Sequence, residues 1–337
     1  MNFIPLVIEP KAFYDLMIHP HFADAIDGVP QTSLSTWTIL DDVSSKRQLI
    51  DVIGNGTILK QRDATCNTVF TPVASIEKRC VETIKCYAAT ITCQEEFYKN
   101  CLTDFYRQAP KFRDVALMWF QKLFVKDLYT NAWVGKTTRT ADVSGVWGWN
   151  TFDGVLTHIE SAITSGDIPA SQVNNLAGGA ITDANAYAAV KWTYDNQSQL
   201  LETLPEADKV IYVTQKVFNG YVNHLISLGV AFNLQYAING LPQAVQYMGV
   251  DVVVEPLLGA VMSAINTGTQ ANLAMLTVKG NLVFATDSEY GSGADMNQAL
   301  RVWFSDDDES WKYKAAIKAG TQIAVPELIV INRTVLP

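Results

Sequence analysis

Charge is scarce in this chain. Asp, Glu, Lys and Arg make up only 18% of its 337 residues, against 48% hydrophobic and 10% aromatic. A disordered chain shows the reverse balance, so disorder is excluded. Clusters of Lys and Arg are missing too, and the formal net charge is -9. That argues against a generic nucleic-acid binder, which carries a basic patch. Long apolar runs are absent. The closest, Val250 to Ile265, is interrupted by Asp251, Glu255 and Pro256, so no segment reaches the roughly 18 apolar residues of a membrane-spanning helix. Met1-Asn2-Phe3-Ile4-Pro5 lacks the basic and apolar regions of a signal peptide. Five cysteines (Cys66, Cys80, Cys86, Cys93 and Cys101) form no CxxC pair. A zinc site is therefore not expected, and the thiols read as reduced and mostly buried in a cytoplasmic product.

Catalytic signatures are missing as well. No GxSxG, HExxH, Walker A or GxGxxG motif occurs. His19 and His21 share one face of an extended segment but have no cysteine or acid cluster beside them. His158 and His224 fall within helical patterns and read as structural. Gly291-Ser292-Gly293 is a loop signal only. Asp306-Asp307-Asp308-Glu309 lacks the glycine and terminal glutamate of a calcium loop and reads as a solvated hairpin tip. No catalytic, cofactor-binding or metal residue is expected, and no cofactor. What remains is a surface with few charges, eight tryptophans and a mean hydropathy of +0.08. Such a surface predicts an oligomer.

Along the chain, the residues before Trp37 show no sustained period. Thr36 to Leu40 and Lys46 to Ile53 are strand candidates. Gly54-Asn55-Gly56 then predicts a hairpin turn into Thr57 to Lys60. Residues 80–92 form a longer strand rich in Val, Ile, Thr and Tyr. Thr92 and Glu95 make a capping box, and Phe97, Cys101, Leu102 and Phe105 continue a helical face. Pro110 opens a second helix with a stripe of Phe112, Val115, Ala116, Trp119, Phe120, Leu123, Phe124 and Leu128. Residues 133–149 are loop-like. Further helices are expected over 152–164, 183–204 and 215–228, with strands at 209–213, 251–255, 274–278 and 282–286. From Asn297 onward strands return, with Gly320 read as a turn.

Several phrases in this order are similar to those of tailed-bacteriophage major capsid proteins. They include Asn150-Thr151-Phe152-Asp153-Gly154-Val155-Leu156, Lys209 to Thr214 leading to Tyr221, and Gly240-Leu241-Pro242 before Tyr247-Met248-Gly249-Val250. Asn281 to Asp287 and the ending from Phe304 to Ile331 also fit. The resemblance implies an α+β fold of the tailed-phage major capsid kind. Its parts would be an N-terminal arm over 1–36, an extended loop over 37–79, a peripheral domain with a spine helix over 80–182 and 291–337, and an inserted axial domain over 183–290. The break at Pro110 and the lack of a long scaffolding segment depart from the pattern. Scaffolding would then be a separate protein or a removed prodomain.

The function implied is self-assembly as hexamers and pentamers into the icosahedral head around the double-stranded DNA of a tailed phage. The partners implied are other copies of the chain, portal, scaffolding and decoration proteins, and packaged DNA held by non-specific contact, with no membrane. The location implied is the virion, after assembly in the host bacterial cytoplasm. Lys46, Arg47, Lys60 and Arg62 in the loop are placed to pair with acids on a neighbour. Two other readings stay open. One is an encapsulin-type nanocompartment shell, which needs a pocket for a cargo tail. The other is an α/β enzyme with an unrecognised site in 183–290, which a pocket of pKa-shifted acids would mark.

Overall fold

The computed structural model describes residues 36–41, 43–54, 74–93, 112–139, 149–176, 178–229, 245–287, 300–307 and 309–336. In chain order the strands are β1 (Thr38–Leu40), β2 (Lys46–Gly54), β3 (Ala74–Glu82), β4 (Ile84–Cys93), β5 (Val173–Asn175), β6 (Lys209–Thr214), β7 (Val245–Tyr247), β8 (Val250–Glu255), β9 (Leu273–Val278), β10 (Leu282–Thr286), β11 (Leu300–Ser305), β12 (Ser310–Ile323) and β13 (Val330–Arg333). The helices are α1 (Phe112–Val134), α2 (Val155–Ser165), α3 (Asp183–Asp195), α4 (Gln199–Glu202), α5 (Gln215–Ser227) and α6 (Pro256–Ile265).

The first sheet is organised by β12. Antiparallel β4 runs along one side of it, from the Ser310–Cys93 pair to the Ala319–Ile84 pair. Ser310–Ala315 also pairs with β11, and Ala319 also pairs with Thr286 of β10. So β11 and β10 lie end to end on the other side. β1 adds in parallel to β10. Side chains alternate across a strand. Tyr313, Ala315, Ile317 and Ala319 are accordingly buried under α1, while Lys312, Lys314 and Lys318 share the opposite face. The Phe120 and Tyr313 rings meet at 5.9 Å. Gly320 is no turn: β12 runs straight through it for 14 residues.

The second sheet has the order β5-β13-β9-β6-β8-β7. β6 and β8 are parallel, and α5 lies between them in sequence as the crossover. All six residues of β6 are buried, as expected for a strand covered on both faces. Alternation divides it between two cores. Val210 and Tyr212 join the one beneath α1 and α2, while Ile211 and Val213 join the one beneath α3 and α5.

Several expected elements differ in detail. The buried line of α1 is Leu117, Phe120, Phe124, Val125, Tyr129, Ala132 and Trp133, whereas Leu123 is 55% exposed. The helix continues to Val134, into the segment read as loop. The helix expected over 183–204 breaks after Asp195. Thr182 caps α3, and Ser198 starts α4 by accepting from the Leu201 N–H. Sheet membership also departs from the expected division. β1, placed with the extended loop, and β10, placed with the axial unit, pair in the first sheet, while β5 and β13, placed with the peripheral unit, pair in the second. β9 and β10 are neighbours in sequence across Gly280 yet enter different sheets. The expected arm over 1–36 (save Thr36) and the helix face from Phe97 to Phe105 lie outside the described residues.

Trp133 ties these layers together. It is 1% exposed and meets Trp37 edge-on at 5.1 Å and Tyr212 edge-on at 5.4 Å. Trp37 precedes β1 and Tyr212 belongs to β6, so one side chain on α1 touches the second sheet and the segment that leads into the first. Trp133→Ala is expected to cost about 3–5 kcal/mol through lost burial and the cavity left behind. Denaturant unfolding of the subunit checks this.

Candidate assembly surfaces

Three surfaces leave the two cores. The first is the ribbon formed by β2 and β3. Lys46 pairs with Glu82 and Gly54 with Ala74, and neither strand joins another sheet. The expected hairpin through Gly54-Asn55-Gly56 to Lys60 is thus replaced by a much longer one, whose returning strand is 74–82. The low β propensity of Ala74-Ser75-Ile76-Glu77-Lys78 hid that strand from the sequence. A two-stranded ribbon is marginal in water unless something covers it.

The base of the ribbon is tied firmly. Val81 packs with Val43 and Ala285. The Thr83 N–H and hydroxyl donate to the carbonyls of Ser45 and Val43 at 2.9 and 2.8 Å. Lys318 Nζ donates to the Ser44 carbonyl and pairs with Asp287 at 2.6 Å. Gln322 Nε2 donates to the Cys80 carbonyl at 3.0 Å, and Arg79 pairs with Asp167 at 2.6 Å. Lys46, expected to reach a neighbour, instead pairs with Glu82 of its own chain. Arg47 is exposed. Lys60 and Arg62 lie outside the described residues.

His158, on α2, sits behind this joint. Burial lowers its pKa. The Asp153 carboxylate and the backbone of Asp153 and Thr321 oppose that shift, and the Arg79 charge adds to it. The unfolded imidazole takes up a proton near pH 6.5, whereas the folded one does so only at lower pH. Stability is therefore expected to fall as pH drops from about 6.5 toward the folded pKa. His158→Gln should flatten that slope, read as denaturation midpoints at neutral and mildly acid pH. Asp167, held low mainly by its bond to Arg79, contributes stability lost only further down, below about pH 4.

The second surface is the outer face of the first sheet, where Tyr87 is 74% and Ile91 53% exposed. The third lies on the second sheet's side of the molecule, where Ile226 and Leu228 at the end of α5 and Met248 in the β7–β8 turn are exposed. Beneath it, Tyr187, Tyr194, Tyr221 and Tyr247 form an aromatic cluster, and the His224 ring lies 4.6 Å from Tyr187.

The remaining chemistry-bearing residues are scattered. His158 lies on α2 and His224 on α5. His19, His21, Cys66, Cys101 and Gly291-Ser292-Gly293 lie outside the described residues. Cys86 is buried and its thiol is pushed up to about 12 by burial, whereas Cys80 is exposed. Asp306, Asp307 and Glu309 are exposed at a hairpin tip closed by the Ser305–Ser310 pair, as read from the sequence. Among the described residues no group of three His, Cys, Asp or Glu is placed to hold a metal, and no helix is long and apolar enough to cross a membrane. The cavity between α1 and α6 is lined by Tyr129, Thr130, Trp133, Val134, Leu257, Leu258 and Val261, with no acid among them.

Two sheets, a long helix and a ribbon that joins neither sheet make a fold shared with solved phage capsid structures. The chain is similar to a chain of the satellite phage P4 procapsid, a structure that includes the size determination protein. That match has a TM-score of 0.58 at 11% identity and covers 99% of this chain and 92% of that one. The capsid of Myoviridae phage XM1 matches with a TM-score of 0.55 at 11% identity, over 89% and 90% of the two chains. Mycobacterium phage Ogopogo matches at 0.51 and 11%, over 87% and 88%. No protein-family model matches the chain, and no curated protein sequence does. These three structures are all of phages.

Proposed function

We propose that this chain is the major capsid protein of a tailed phage, assembling as hexamers and pentamers into an icosahedral head around double-stranded DNA. One observation carries the reading: a fold shared with phage capsid subunits along nearly the whole chain, including a ribbon that has no sheet of its own to join. In a shell that ribbon lies on a neighbour. Each contact is modest, but every subunit makes several, and a closed lattice multiplies them.

The division of labour follows the sheets. The ribbon serves as the extended loop, the first sheet with α1 as the peripheral domain, and the second sheet as the axial domain. Residues 1–36 serve as the arm. Portal, scaffolding and decoration proteins complete the set of partners, DNA touches the shell without sequence preference, and assembly takes place in the bacterial cytoplasm before the chain resides in the virion. This role needs no catalytic residue, metal or cofactor.

Negative-stain microscopy of the expressed chain, alone and with a scaffold from the same genome, tests the proposal. Shells or capsomer rings are expected, and persistent monomers would overturn it. Shells that carry a protein cargo instead of nucleic acid would favour the nanocompartment reading.

A further inference from the structure

The outer face of the first sheet runs against the charge of the molecule. Cross-strand partners share a face. The pairs Arg301–Lys314, Trp303–Lys312, Lys312–Ile91, Ala316–Tyr87 and Lys318–Lys85 therefore gather five cations and two large aromatic rings on one surface. The chain as a whole carries -9. Lys318 is already paired with Asp287.

Arg301 and Lys314 are exposed, and no ion pair within the described chain serves either of them. Both lie against aromatic rings instead. The Arg301 guanidinium is 5.0 Å from the Trp303 centroid, and Lys314 Nζ is 5.9 Å from that of Tyr87. The two cations also stand directly opposite each other in the ladder, where like charges destabilise a sheet. An anionic partner would remove that cost.

The same chain offers a matching group. Asp306, Asp307 and Glu309 project from the β11–β12 tip, exposed and without an ion pair among the described residues, and Asp308 adds a fourth acid to the sequence of the tip. Arg301 lies four residues down β11 from Ser305, at the closing pair, or about 14 Å at some 3.4 Å per residue. At that separation the tip acids do not reach the Arg301–Lys314 pair of their own chain, so a contact between the two joins separate copies.

We propose that the acidic tip formed by Asp306, Asp307 and Glu309 of one subunit docks on the Arg301–Lys314 face of the next. This deepens the shell reading and rests on it. The two patches are different surfaces of one chain, so the contact is head-to-tail and builds a closed ring when the rotation closes. Trp303 and Tyr87 hold the cations in place by cation–π contact. Because the attraction is between charges, salt weakens it.

Charge reversal tests the proposal. Arg301→Glu with Lys314→Glu, and separately Asp306→Lys with Asp307→Lys and Glu309→Lys, should each lower shell yield about tenfold. Circular dichroism and the unfolding midpoint of the subunit should stay as in the unmodified chain. All five changes in one chain restore the complementarity and should recover most of the yield. Should a reversed chain fail to fold, the neutral pair Arg301→Gln and Lys314→Gln takes its place; its assembly should be weaker and less sensitive to salt. Normal shells from the face-reversed chain, or no recovery in the combined one, would overturn the docking. So would face-reversed shells that form normally but lose retention of duplex DNA, which would assign the face to nucleic acid. Absence of shells from the unmodified chain would instead overturn the shell reading itself.

Discussion

Gly320→Val should destabilise the subunit by about 3 kcal/mol or more, the upper range for forcing atoms into a packed site. A Cβ at position 320 would meet the Glu82 carbonyl oxygen at 1.9 Å and the Thr83 Cα at 3.3 Å. Both obstacles are backbone, so no side chain can swing aside. Thr83 is also where β3 gives way to β4, so the intruding carbon strikes the joint between ribbon and sheet. Gly320 pairs with Ala285 in the same sheet, and Lys318 and Gln322, two residues to either side, bond to Ser44 and Cys80. Relief in any direction breaks one of these ties. Gly259→Ala is the contrast. Its added carbon would meet nothing closer than the Thr214 Cβ at 3.4 Å. There the better helix propensity of alanine should leave stability unchanged or raise it by up to about 1 kcal/mol. Chemical denaturation of both variants checks the pair, and equal stabilities would show that the joint yields.

The same glycine shows what sequence can convey. Gly320 reads as a turn because glycine most often means a turn. Its actual reason, the approach of a carbonyl from a segment more than 200 residues earlier, leaves no local trace. The β3 strand was hidden for a related reason. Ala74 to Glu82 lacks the β-branched alternation of a half-buried strand because, along most of its length, it pairs only with β2. The elements that could be read were those whose pattern is set by a core. β6 is a continuous apolar run because both its faces are covered, and α5 shows Val217 and Tyr221 at helical spacing because both lie in one core. In α1 the stripe was right in period but wrong in extent, since Leu123 faces away from the core. The acidic tip was legible as solvated. The cationic face opposite it in charge was not, because Lys85, Arg301 and Lys314 come together only through the register of three strands.

Removing the ribbon should abolish assembly and spare the fold. The register sets where to cut: Leu49 pairs with Arg79, so replacing residues 50–78 with Asn-Gly closes a two-residue hairpin on that pair. Every tie at the base survives the change. Val81 stays against Val43 and Ala285, Arg79 against Asp167, and the Cys80 carbonyl against Gln322. The strands removed bond only to each other, so neither sheet loses a partner. The unfolding midpoint of the shortened subunit should therefore stay within a few degrees of that of the full chain, a shift of about 1 kcal/mol or less. Shell yield should fall to background in microscopy and sedimentation, because each subunit loses its longest reach to a neighbour, and that loss is repeated at every position of the lattice. Unfolding of the shortened chain would mean that the ribbon belongs to the subunit core. Normal shells would mean that the lattice is held by the sheet face and the tip alone. The two outcomes separate a surface that stabilises the subunit from one that stabilises only its assembly.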